Sequence, residues 1–129
     1  MVGYQAGKEC TANNNTFIGE RAGTACTSGN VNVIIGSEAG TALTTSSDTV
    51  LIGYQAGPSI TTSDSNTIVG YASGYNLTGS GNTILGRYAG GNITSGHQNI
   101  VIGAGAEASS ATITNEITLG DNFITKFRI

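Results

Sequence analysis

Catalytic chemistry in this chain would have to come from eight carboxylates, one imidazole and two thiols. The carboxylates are Glu9, Glu20, Glu38, Asp48, Asp64, Glu107, Glu116 and Asp121. They are spread along the chain and form no obvious pair of the kind glycoside hydrolysis needs. His97 is the single histidine and sits in a Ser-Gly-His-Gln stretch that reads as a surface turn. One distant imidazole and two thiols make a poor zinc set. No Gly-rich loop of the phosphate-binding kind is present, and no GGxGxD calcium repeat. Asn14, Asn76 and Asn92 head Asn-x-Thr triplets, which a chain this rich in Asn and Thr produces by chance. The expectation is a protein that is not an enzyme, with no catalytic residues, cofactor or metal.

A repeat sets where these residues stand. The motif is an apolar triplet, a glycine, two variable residues, then Ala-Gly. It reads FIGERAG at 17–23, IIGSEAG at 34–40, LIGYQAG at 51–57, IVGYASG at 68–74 and ILGRYAG at 84–90. VGYQAG at 2–7 is a truncated copy; VIGAGAE at 101–107 and TLGDNFI at 118–124 are degenerate ones. The anchoring glycines are Gly3, Gly19, Gly36, Gly53, Gly70, Gly86, Gly103 and Gly120, spaced by 16 or 17 residues. A unit that short cannot hold a helix pair or a propeller blade. It suits one coil of a solenoid, whose strand lies on its counterpart in the next coil at ~4.8 Å. The expected fold is therefore all-β: a parallel β-solenoid (β-roll or β-helix) of about eight coils. Residues 1–114 form the expected repeat domain and 115–129 a C-terminal connector. Met1 falls inside a repeat, so a longer parent chain is expected.

Aligned on the glycine, positions become columns. One residue before it stand Val2, Ile18, Ile35, Ile52, Val69, Leu85, Ile102 and Leu119. Three before it stand Thr16, Val33, Val50, Thr67, Thr83, Ile100 and Ile117, on the same face because side chains alternate along a strand. This face is expected to line the coil interior. Seven residues after the glycine stand Cys10, Cys26, Leu43, Ile60, Leu77, Ile93, Ser110 and Phe127, the expected second wall of that interior. Cys10 and Cys26 then occupy adjacent coils, as core thiols or as a disulfide.

The column two before the glycine holds Phe17, Ile34, Leu51, Ile68, Ile84 and Val101. By alternation it points the other way, yet it too is apolar. Strands apolar on both faces are buried on both faces. The second face needs a partner surface, so these six residues are the expected interface of a symmetric oligomer. Four before the glycine stand Asn15, Asn32, Asn66, Asn82 and Asn99, a turn column that can also bond from coil to coil. The positions just after the glycine vary and are rich in tyrosine. Tyr4, Tyr54, Tyr71, Arg87 and Tyr88 are the candidates there for binding a sugar or a receptor.

Composition narrows the partners. Charged residues make up only 10%, and the net charge is -3. Five scattered basic residues do not make a nucleic-acid surface. No apolar run approaches the ~20 residues of a membrane helix, so no membrane insertion is expected.

LIGYQAG at 51–57, NTILGRYAG at 82–90 and the closing NEITLGDNFITKFRI at 115–129 resemble the tandem repeats and following connector of bacteriophage tail fibres. More distantly, the x-Ile-Gly repeats are similar to those in the heads of trimeric autotransporter adhesins. The resemblance implies a homotrimer, a fibre shaft or receptor-binding head, and attachment to a glycan or protein on the host surface. Location would be the virion, outside the cell, or alternatively a bacterial surface. It carries no catalytic residues. Behind these readings stand an ice-binding solenoid, which would show a flat Thr ladder, and a polysaccharide depolymerase fragment, which would show paired carboxylates.

Overall fold

A computed structural model describes residues 1–126 and Arg128; Phe127, expected in the second interior wall, lies outside the described residues. The chain is an all-β solenoid. Seven three-residue strands run β1 Thr16–Ile18, β2 Val33–Ile35, β3 Val50–Ile52, β4 Thr67–Val69, β5 Thr83–Leu85, β6 Ile100–Ile102 and β7 Ile117–Leu119. They form one parallel sheet in sequence order. Register follows the repeat without slippage: Phe17 pairs with Ile34, Ile34 with Leu51, and so on to Val101 with Thr118. An isolated parallel bridge joins Val2 to Ile18 below β1. β7 carries the ladder into the 115–129 segment expected to be a connector.

The remainder of each coil is tight turn, and it too is laddered. Gly23 N–H donates to Ala39 O at 2.9 Å, and Arg21 N–H donates back to Tyr4 O at 2.7 Å. The backbone folds so sharply that, besides the glycine of Ala-Gly, two further positions in most coils are left-handed. Two residues after the anchor, Gln5, Arg21, Glu38, Gln55, Ala72 and Tyr88 have φ between 48° and 59°. Five before the next anchor, Asn14, Val31, Asp48, Ser65, Gln98 and Asn115 have φ between 56° and 61°. The anchor position itself tolerates no side chain. A Cβ on Gly19 would lie 2.6 Å from both the carbonyl carbon and the oxygen of Gly36.

The structure reverses the expected sense of the strands. Phe17, Ile34, Leu51, Ile68, Ile84 and Val101, expected at an interface, fill the coil interior and are 0–1% exposed. Val2, Ile18, Ile35, Ile52, Val69, Leu85 and Ile102, expected inside, lie on the outer face of the sheet. Ile18 is 41% and Leu85 47% exposed. The reason lies across the coil. Cys26, Leu43, Ile60, Leu77 and Ile93 are buried as expected, and Cys10 packs partly buried against them. They face the strand over a floor of Ala22, Ala39, Ala56 and Ala89. At Gly57 a Cβ would come within 2.9 Å of both Leu51 Cδ2 and Ile60 Cδ1. Ala-Gly is small because large side chains from the two walls meet over it. Each aliphatic side chain so buried contributes ~1.5–3 kcal/mol.

Candidate functional site

The sheet exterior is the first candidate surface. Two columns of side chains run its length. One is Val2, Ile18, Ile35, Ile52, Val69, Leu85, Ile102 and Leu119; the other is Thr16, Val33, Val50, Thr67, Thr83, Ile100 and Ile117. Every residue of both columns is half-buried or exposed. No charge interrupts them, and only three threonines do. Strand alternation puts both columns on one face, and the unbroken register stacks them into straight stripes. Soluble monomers rarely leave so continuous an apolar strip in water.

Beside the sheet, just past the anchor glycines, stands an aromatic cluster. Tyr54 and Tyr71 stack at a centroid distance of 5.2 Å and an interplanar angle of 24°. Tyr71 meets Tyr88 edge-on at 5.3 Å. Arg87 lays its guanidinium 4.9 Å from the centre of the Tyr88 ring, a cation–π contact. Tyr88's phenol pushes the Tyr71 hydroxyl above its ordinary range, with a smaller contribution from desolvation. Tyr4, the fifth candidate, is exposed in the first coil and separated from the cluster by Glu20 and Ser37 in its column. Tyr75 joins the cluster from the next bend of the chain. Next to it runs a polar trio across three coils: Arg21 Nη1 lies 3.5 Å from Glu38 Oε1, and Gln55 Nε2 donates to Glu38 Oε2 at 2.7 Å.

His97 does structural work. Its Nδ1 accepts the backbone N–H of Ser80 at 3.1 Å. Asp64 Oδ1 does the same for Ser47 at 2.8 Å, and Ser47 Oγ for Asn30 at 3.2 Å. All three belong to one column and tie each coil to the one before it. His97 and Asp64 both line an open groove of 580 Å³. Among the described residues no three His, Cys, Asp or Glu side chains cluster as metal ligands.

Both cysteines are free thiols. Cys26 is fully buried. Burial, and then the neighbouring Cys10 thiol, push its pKa from 9.0 to about 12, against a lowering contact from Gly29 O. Such a thiol is not a nucleophile near neutral pH. Glu116 replaces Asn in the ladder column. Bonds from Ser109, through its hydroxyl and its backbone N–H, and from the Thr118 hydroxyl hold its carboxyl below the usual range.

Two columns escaped the sequence reading. The left-handed position after the anchor carries Gln, Arg, Glu or Tyr, so no Gly or Asn signal betrays it. Seven before the anchor, Gly29, Ser46, Ser63, Gly79 and Gly96 form a column of small residues, all with carbonyls accepting from the asparagine column. Comparison with protein-family models, curated proteins and solved structures returns no match.

Proposed function

We propose that this chain is a structural and adhesive segment of a homotrimeric fibre, assembled through the outer face of its sheet. The observation that supports this is the exposed double stripe of aliphatic residues from Val2 to Leu119, on a coil whose interior is already closed by its own residues. The occupant that fits the stripe is another copy of the chain. An identical copy carries a stripe of the same length, rise and composition, and a cyclic assembly buries all of them about one axis. The number three and the assignment to a bacteriophage tail fibre rest on the resemblance of the IGYQAG-type repeats. A bacterial trimeric surface adhesin head shares the same assembly and is the alternative. Either role places the chain outside the cell.

Size-exclusion chromatography with light scattering on the full chain tests assembly. The expected mass is three times the 13.0 kDa of one chain. A wild-type monomer would overturn the reading. A folded Ile35→Asp/Leu85→Asp variant that kept the wild-type mass would show that this face is not the interface.

A further inference from the structure

Four of the five tyrosines gather in three consecutive coils, and three of them enclose a slot. Tyr71, Tyr75 and Tyr88, with Gln55, Ala72 and Gly91, line a depression of 310 Å³. We propose that this slot binds an uncharged saccharide ring.

The geometry favours that ligand class. The walls are rings, which accept the apolar C–H face of a sugar, and their phenol tips accept or donate to its hydroxyls. Ala72 and Gly91 leave the space between the rings open. The framework is rigid: Ala72 N–H donates to Tyr54 O at 2.9 Å, and Tyr88 N–H to Tyr71 O at 2.9 Å. Little side-chain or loop entropy is lost on binding to such a surface. No charged side chain lines the slot. Arg87 lies over Tyr88, and Glu38 is held by Gln55 and Arg21. Gln55 Oε1 remains a neutral acceptor, and the lining itself offers an ionic ligand no counter-charge. A purely aromatic hydrocarbon ligand would use the rings but leave the phenols and the amide oxygen without partners. One shallow slot gives weak binding, which repetition across an assembly strengthens. The proposal names a ligand for the adhesive half of the function above and rests on it, but not on the assembly face.

The chain has no tryptophan, so its fluorescence comes from the tyrosines, three of which line the slot. The full chain is titrated with neutral oligosaccharides of glucose, galactose, mannose and N-acetylglucosamine at millimolar concentration, with saturation-transfer NMR in parallel. The expected result is saturable quenching by at least one of them. Tyr71→Ala and Tyr75→Ala should weaken it about tenfold, while Tyr4→Ala leaves it unchanged. Circular dichroism and oligomer mass check that each variant folds and assembles as wild type. Silence across the panel, equal binding by Tyr71→Ala and Tyr75→Ala, or tighter binding of a Tyr- and Phe-containing peptide would overturn the proposal. Those outcomes would leave the assembly reading intact.

Discussion

Asn82 Oδ1 accepts the backbone N–H of Asn99, its counterpart one coil on, at 3.0 Å. The same side chain donates through Nδ2 to Gly96 O at 3.0 Å. One buried amide thus clamps two backbone groups of the neighbouring coil. Asn15 and Asn32 repeat both bonds. Thr49 is the gap in the ladder. With no amide there, the Ser46 hydroxyl bridges to Ser63 O instead. Asn82→Ala should cost ~2–4 kcal/mol, because it strands buried donors and acceptors. Thr49→Asn should gain ~1 kcal/mol by restoring the clamp to Asn66 N–H. Urea melts at fixed protein concentration measure both, since the stability of an oligomer depends on concentration. A neutral Asn82→Ala would show that the ladder is incidental.

Neighbours on one strand should respond oppositely to the same substitution. Ile34 is fully buried, so Ile34→Asp puts an unpaired charge into the core and should abolish folding. Ile34→Ala should cost ~2–5 kcal/mol. Ile35 points outward, so Ile35→Asp should keep the β signature in circular dichroism while weakening association. Equal loss of fold in the two Asp variants would contradict the assignment of faces.

That pair also shows what the sequence could reveal. The repeat spacing dictates the register, and every strand pairing follows it. The Asn column, the small Ala-Gly floor and the Cys10–Leu43–Ile60 wall are all legible, because packing against an equivalent neighbour keeps most positions of a column alike in size and polarity. Which face of the strands is buried does not follow from alternation, which separates two faces without saying which is inside. A signal existed. Thr16, Thr67 and Thr83 share a face with Ile18, Val69 and Leu85, and a face that admits Thr in three of seven strands is the wetter one. The tyrosine slot was only half legible. Tyr71 and Tyr88 stand one and two residues past their anchor glycines, but Tyr75 stands five past Gly70 and is brought over by the turn.

Gly19→Ala should be among the most damaging of conservative changes. Its φ is 128°, and the new Cβ would lie 2.6 Å from the Gly36 carbonyl. That neighbour is backbone held in the ladder, so it cannot rotate away, and coils on either side must separate. A loss of several kcal/mol is expected, on the order of overpacking plus backbone strain. A melting temperature within error of wild type would mean that the coils can shift to admit a methyl group.

Val31 should be a place where the fold can be improved. It is β-branched, half-exposed, and held at φ 58°, a region such residues rarely enter. Five coils on, Asn115 stands in the same column at φ 59°. Val31→Asn should therefore stabilise by ~1 kcal/mol, since Asn tolerates the left-handed region. The urea midpoint should rise with no change in oligomer mass. A drop would mean that Val31 contributes packing that outweighs its strain.

Cys26 should make the protein weaker in alkali. Its thiol is held protonated in the fold, with a pKa of about 12 against 9.0 when unfolded. Between those values the unfolded chain releases a proton that the folded one keeps. Stability therefore falls as pH rises from about 9 towards 12, and is unaffected by this group below about 9. Cys26→Val removes the titrating group while keeping the core apolar. Its alkaline limb should be flatter than that of wild type, with the two curves parallel near neutral pH. The same burial predicts chemistry. A thiol-reactive disulfide at pH 8 should leave Cys26 unlabelled in the native protein and label it at once in denaturant, with Cys10, partly exposed, reacting first. Identical alkaline limbs together with rapid native labelling of Cys26 would place the thiol at the surface, contrary to its position between Cys10 and Leu43 in the inner wall.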